Sequence, residues 1–394
     1  MIHRDKILSA LESRRDEFVI FEDELRDQYA TYRKALLDAA ALPARELDAK
    51  LSGSGPVGAR PLEGFSNGSV VNRFGQEWKN HEEARAWAFE TLLGRTTFAA
   101  DGSQILPTKD YSVPVAAVQT GWFENPHTPS GAYIKDTSFE ILTPREIMVR
   151  TGGATEVSEQ VVHRRRYERE VGAVVSYLNG ARARGFDEER PPVVFFDSLL
   201  VISFVEILPP DQREAYVKDI VSLLDASEKS GIPLVGYVDT SFARDLVNML
   251  QAAFDLDDAQ RINDAMLVSP GMLWGDRTPL FVCARQGVLD EYPEAWRRGV
   301  GFVYLKTSGD APPSRLDIPL WVYERGLLEY VLDTVRGEVV VGNGYPYALE
   351  AADACAVLDS RDRDMFYSLF QEFAGRESLS LHIARKAISK AHRR

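Results

Sequence analysis

Residues 192–202 read PVVFFDSLLVI, a nearly unbroken apolar run that holds a single carboxylate, Asp197. A continuous run of this kind, rather than an alternating one, is the habit of a strand buried on both faces in a parallel sheet. Toward the C-terminus the pattern continues with a helix near 210–229, the strand-like PLVGYVDT (233–240) and a helix near 242–254. Strand–helix alternation implies parallel pairing through right-handed crossovers. Toward the N-terminus a helical stretch covers 156–182. Three strand-like runs precede it: TTFAADGSQI (96–105), SVPVAAVQTGWF (112–123) and AYIKDTSFEIL (132–142). Short turn-prone segments separate them, the mark of an antiparallel meander.

A meander leading into parallel βαβ units outlines an α/β fold with an RNase H-like mixed sheet flanked by helices. The last third returns to strands (LFVCARQ, VGFVYLKTS, SRLDIPLWVYE) and closes with helices near 323–336, 346–357 and 363–374. Residues 5–49 carry Ile7, Leu8, Leu11, Phe18, Phe21, Leu25, Tyr29, Tyr32 and Leu36 at helical spacing among many charges, so an N-terminal helical extension is expected. The Gly-, Ser- and Pro-rich stretch 52–76 reads as a linker. The expected division is therefore 1–75, helical region and linker, and 76–394, main domain.

Composition narrows the class. The chain has 394 residues, 45% hydrophobic and 27% charged, which excludes a largely disordered protein. It holds two cysteines, Cys283 and Cys355, without metal-ligand spacing, so neither a disulfide framework nor a structural zinc site is expected. No apolar run reaches the roughly 18–20 residues of a membrane helix. The charged start MIHRDKILSALESRRDEF lacks the apolar centre of a secretory signal. A soluble cytoplasmic protein without a membrane partner is the expectation.

Four carboxylates stand on apolar elements. Asp101 interrupts the first strand run, where Ala99, Ala100, Ile105 and Leu106 offer it no partner. Asp197 interrupts the most apolar segment. A carboxylate on a buried strand is costly unless it is paired or bound to a cation. On the helix 156–182, stepping back from Val171 and Val175 reaches Glu168 and Arg164, which turns Glu168 toward the sheet. Glu170 then falls at the edge of the stripe and is the reserve. Asp353 lies beside the small-residue face Ala348, Leu349, Ala352, Ala356 of the helix that opens after Pro346. Carboxylates converging from strands and helices suit phosphodiester hydrolysis, in which hard oxygen ligands hold two divalent ions about 3.5–4 Å apart.

Taken with FAADGSQI (98–105), VVFFDSLLVISFVEIL (193–208), GIPLVGYVDTSFARDLVNML (231–250), DRTPLF (276–281), RLDIPLWV (315–322) and GYPYALEAADACAV (344–357), the chain resembles the NurA family of DNA double-strand-break repair nucleases over about residues 95–394. The resemblance implies an RNase H-like fold, dependence on Mn²⁺ or Mg²⁺, and 5′→3′ degradation of DNA. It also implies a hexameric HerA-type ATPase partner and a homodimer. By the same resemblance, Asp101, Glu168 and Asp197 are metal ligands and catalytic residues. Asp353 stands where many relatives carry a histidine, so it enters the set as a carboxylate.

A net charge of −13, from 46 Lys and Arg against 59 Asp and Glu, requires DNA contacts to be local. The candidates are the run His163-Arg164-Arg165-Arg166, the basic end from Arg385 to Arg394 with Lys386 and Lys390 on one helix face, and Tyr345 close to Asp353. The reading of a different class is a non-catalytic RNase H-like scaffold that binds a translocase or DNA without cutting.

Overall fold

The three strand runs of the meander form β1 (Thr97–Ile105), β2 (Ala116–Asn125) and β3 (Ile134–Leu142). β1 pairs antiparallel with β2, and β2 with β3. β4 (Val193–Phe196) joins the other side of β1 in parallel, and β5 (Leu234–Val238) joins β4 in parallel. The order β5-β4-β1-β2-β3 is that of an RNase H-like sheet, so the expected fold is the observed one. The computed structural model describes residues 3–53, 57–65, 68–382 and 384. The chain divides into two units, one of residues 78–236 with 321–394 and one of residues 1–77 with 237–320.

In the first unit the crossovers are α2 (Glu159–Arg184), before β4, and α3 (Pro210–Ser230), between β4 and β5. α1 (His81–Leu92) precedes the sheet, and α4 (Leu328–Val341), α5 (Tyr347–Ala356) and α6 (Ser360–Arg376) follow it. Side chains alternate along β1. Phe98 stacks on Tyr177 of α2 with ring centroids 3.8 Å apart, which assigns the even-numbered face to α2. On the odd-numbered face, Thr97 Oγ1 donates to Glu338 Oε1 of α4 at 2.8 Å, and Ser103 Oγ accepts from Leu358 N at 3.3 Å. Asp101 shares that second face.

The apolar run 192–202 is a strand only as far as Phe196. The chain bends at Asp197, and Ser203–Ile207 is a 3₁₀ turn. Leu200, Val201 and Ile202 are fully buried without being in the sheet. Unbroken hydrophobicity reports burial, and burial does not require extended backbone.

In the second unit, Gly58–Pro61, Phe281–Ala284, Val300–Leu305 and Ser314–Pro319 pair antiparallel in that order. Part of the Gly- and Pro-rich stretch 52–76 is thus a strand, formed against residues more than two hundred positions away. Helix Arg15–Ala40 buries Tyr32, Ala35, Leu36, Ala39 and Ala40, whereas its first half and helix Arg4–Glu12 leave Leu8, Leu11, Phe18, Ile20 and Phe21 exposed. The core of this unit holds charge. Fully buried Arg315 donates to Asp317 at 2.8 Å, to Asp245, and to the Cys283 sulfur at 3.2 Å. Asp245 also accepts from Arg285 Nε at 3.0 Å. Asp264 accepts from the Leu246 and Val247 amides and from the Tyr304 hydroxyl. Every ion there has a partner, which is the condition for burying it.

Candidate active site

β1 and β4 run in parallel register, with Thr97 opposite Val193 and Ala99 opposite Phe195. Just beyond the last paired residues, Asp101 and Asp197 lie close enough for their charges to interact. Asp197 follows β4 rather than lying within it, and is exposed, whereas Asp101 is half-buried.

α5 carries Asp353 to the same place, and three features hold that helix. Glu338, buried on α4, accepts from the Ala348 amide at 2.8 Å and so satisfies an unpaired donor of the first turn of α5. At the other end, Gln119 Nε2 donates to the carbonyls of Ala356, at 3.1 Å, and Cys355. In between, the helix crosses Gly121, the cross-strand partner of Asp101. A Cβ there would lie 2.6 Å from Ala356 N and 2.7 Å from Cys355 C. The small face of α5 and the missing side chain of Gly121 let helix and sheet approach closely, which brings Asp353 within hydrogen-bonding reach of Asp101.

On α2 the carboxylate that lies near Asp101 and Asp197 is Glu170, whereas Glu168, the residue expected there, points elsewhere. Glu168 is exposed and paired with Arg165 at 3.0 Å. The buried stripe of α2 runs through Tyr167, Glu170, Val171, Val174, Tyr177, Leu178 and Ala181, with Val175 outside it. Phasing the helix on Val175 turned the reading by one position, and stepping back four from Val174 reaches Glu170. Its approach depends on Gly102, where a Cβ would lie 2.5 Å from Glu170 Oε1.

Crowding shows in the acidities. Burial pushes Asp101 up to about 6, and the Asp353 and Asp197 carboxylates add to the rise while the Gly102 amide opposes it. Burial pushes Glu170 up to about 8, with Asp101 and Asp197 adding and Arg166 opposing. Both carboxyls thus keep their protons to higher pH than an ordinary carboxyl, because low solvation and neighbouring acids disfavour their anions. Among the described residues, no three His, Cys, Asp or Glu side chains already converge as a cation cage. The donor set is nonetheless all oxygen, from four acids on four elements, and a hard divalent ion would relieve the repulsion.

Other expected residues fall as follows. Tyr345 sits in a turn whose Asn343 and Gly344 have φ of +55° and +116°, and its hydroxyl donates to Asp197 Oδ1 at 3.0 Å. It therefore touches the acidic site itself. Lys386 and Lys390 lie outside the described residues. The arginines of the 163–166 run each engage a carboxylate: Arg164 with Asp219, Arg165 with Glu140 and Glu168, and Arg166 with Glu170. Sequence reasoning passed over Gly121, whose signal is only that it interrupts a β-forming run.

An RNase H-like sheet that gathers carboxylates where its central parallel strand ends is the frame of a nuclease domain. Residues 95–358, about two-thirds of the chain, match the family model of the NurA domain, and the chain belongs to the NurA family. Among solved structures it is similar to a crystal structure of NurA with manganese, at 10% identity over 70% of this chain and 89% of that one, with a TM-score of 0.42. It is also similar to the catalytic domain of human endonuclease V, at 16% identity over 79% and 92% with a TM-score of 0.32. The Argonaute of Aquifex aeolicus matches at 12% identity over 66% and 28%, with a TM-score of 0.24. No curated protein matches the chain. No helix among the described residues is long and apolar enough to cross a membrane.

Proposed function

We propose that this chain is a divalent-metal-dependent DNA nuclease that hydrolyses phosphodiester bonds in 5′→3′ end processing during double-strand-break repair. The observation that supports the reading is that Asp101, from β1, lies close enough to Asp197 after β4, Asp353 on α5 and Glu170 on α2 to interact electrostatically with each. These four would hold Mn²⁺ or Mg²⁺, with Glu170 taking the place first given to Glu168. Such ions supply positive charge that lowers the pKa of water and stabilises a departing alkoxide.

The chain's own residues supply the rest. Tyr345 fixes the orientation of Asp197 through its hydrogen bond to Oδ1. The clamp on α5 holds Asp353 against Asp101, and the bare backbone of Gly102 admits Glu170. Where relatives carry an imidazole, Asp353 offers only oxygen. Its role here is to hold a cation and to accept a proton, not to donate a nitrogen lone pair.

Residues 76–394 are proposed as the nuclease domain, with 1–75 appended to it. The family relationship supports a HerA-type hexameric ATPase partner, a homodimer and a cytoplasmic location. The apolar residues left exposed on helices Arg4–Glu12 and Arg15–Ala40 support a protein partner as well. Lys386 and Lys390 remain proposed DNA contacts.

The test is degradation of linear DNA by the purified full chain in Mn²⁺. Asp101→Asn, Asp197→Asn and Glu170→Gln should each lower the rate by at least about a hundredfold, on the scale of losing a group that stabilises transition-state charge. Glu168→Gln should retain the rate. Wild-type protein that binds DNA without cutting it would favour the scaffold reading instead.

A further inference from the structure

Arg166 sits one helical turn before Glu170 on α2, and its Nη1 donates to Glu170 Oε1. The same nitrogen lies 3.3 Å from the Gly102 carbonyl oxygen on β1. A Cβ on residue 102 would fall 2.9 Å from Arg166 Cγ, so both members of the pair press against bare backbone. Arg166 Nε is buried and makes no hydrogen bond among the described residues. The other two arginines of the run have their carboxylate partners elsewhere. Arg164 binds Asp219 at 2.7 Å and lies over the Tyr216 ring, and Arg165 binds Glu140 and Glu168. Arg166 alone of the three reaches the acidic site.

A guanidinium keeps its charge throughout the working pH range, so Arg166 is available as the counter-ion whenever Glu170 is ionised. While it holds a carboxylate oxygen, that oxygen is not free for a cation. A divalent ion that takes both oxygens of Glu170 must therefore displace Arg166 from Oε1. The displaced fork, with its unused Nε–H, then stands at the rim of the site, and its geometry suits two phosphate oxygens.

We propose that Arg166 is a positioning residue with two alternate partners: it is the counter-ion of Glu170 in the metal-free protein, and it turns to a backbone phosphate of DNA when a divalent ion takes Glu170. The inference rests on the acidic site being a metal centre.

Mn²⁺ binding to the full chain without DNA, measured by calorimetry, tests the first half. Arg166→Met keeps the aliphatic stem and removes the competitor, and should bind Mn²⁺ about tenfold more tightly than wild type, the scale of one charge-assisted hydrogen bond. Arg164→Met, whose partner lies outside the site, should bind as wild type does. The second half is read by oligonucleotide binding in Ca²⁺, where Arg166→Met should bind several-fold more weakly and with a salt slope lower by about one. Equal or weaker Mn²⁺ affinity in folded Arg166→Met overturns the inference and leaves the nuclease reading standing. Absence of Mn²⁺ binding in both wild type and variant overturns both. Should Arg166→Met fail to fold, Arg166→Lys keeps the charge without the fork. It should then match wild type for Mn²⁺ and bind DNA more weakly, and unchanged DNA binding in that variant overturns the proposal.

Discussion

Glu170 and Asp101 make the metal-free protein sensitive to pH, and the sign follows from their environment. Both pKa values are raised, Glu170 to about 8 and Asp101 to about 6, against ordinary carboxyl values of about 4. Between the ordinary value and the raised one, the folded chain keeps a proton that the unfolded chain releases. This contribution to stability is complete below about pH 4 and is lost as pH rises through about 6 and then about 8. Glu170→Gln, which cannot ionise, should therefore match wild type in thermal midpoint near pH 5 and exceed it near pH 8.5. A constant difference between the two proteins across that range would contradict the assignment. Asp101 and Asp197 were legible in the sequence because each breaks an apolar run where no partner is close in the chain. Glu170 was not, because Val171, Val174 and Val175 allow two phasings of α2 and only packing against β1 selects between them.

At the scale of elements, α5 determines whether Asp353 belongs to the site. Its position depends on Glu338 at one end, Gln119 at the other and Gly121 beneath. Gly121→Ala would drive a methyl group into the helix backbone. It should destabilise the protein by about 1–3 kcal/mol, the usual cost of overpacking, and weaken Mn²⁺ binding as Asp353 moves away. Gly172→Ala on α2, where a Cβ would meet nothing within 4 Å, should instead stabilise by about 0.5–1 kcal/mol. Urea unfolding compares the two, and a neutral Gly121→Ala would show that α5 can shift freely. The long helices and the meander could be read from periodicity, because their patterns are local. The end of β4 at Phe196 and the strand Gly58–Pro61 could not. The first is set by a bend inside an apolar run and the second by pairing with Phe281–Ala284.

For the molecule as a whole, the strand order was legible because alternating elements and right-handed crossovers leave few topologies open. The composition of the second unit's core was not, since a buried Arg315 looks in sequence like any surface arginine. That core determines how its thiol behaves. Cys283 is fully enclosed beside Arg315, and burial raises its pKa despite the adjacent guanidinium, which favours the unreactive protonated form. Cys355, at the end of α5 in the other unit, is only partly covered. An alkylating reagent should therefore modify Cys355 in the folded protein and spare Cys283 until its unit opens, and peptide mass spectrometry along a urea series follows each site. Equal rates at both sites in the absence of urea would contradict the enclosed core. The two native sulfurs thus serve as independent clocks, one timing the loosening of the first unit and the other the melting of the second, without any engineered probe.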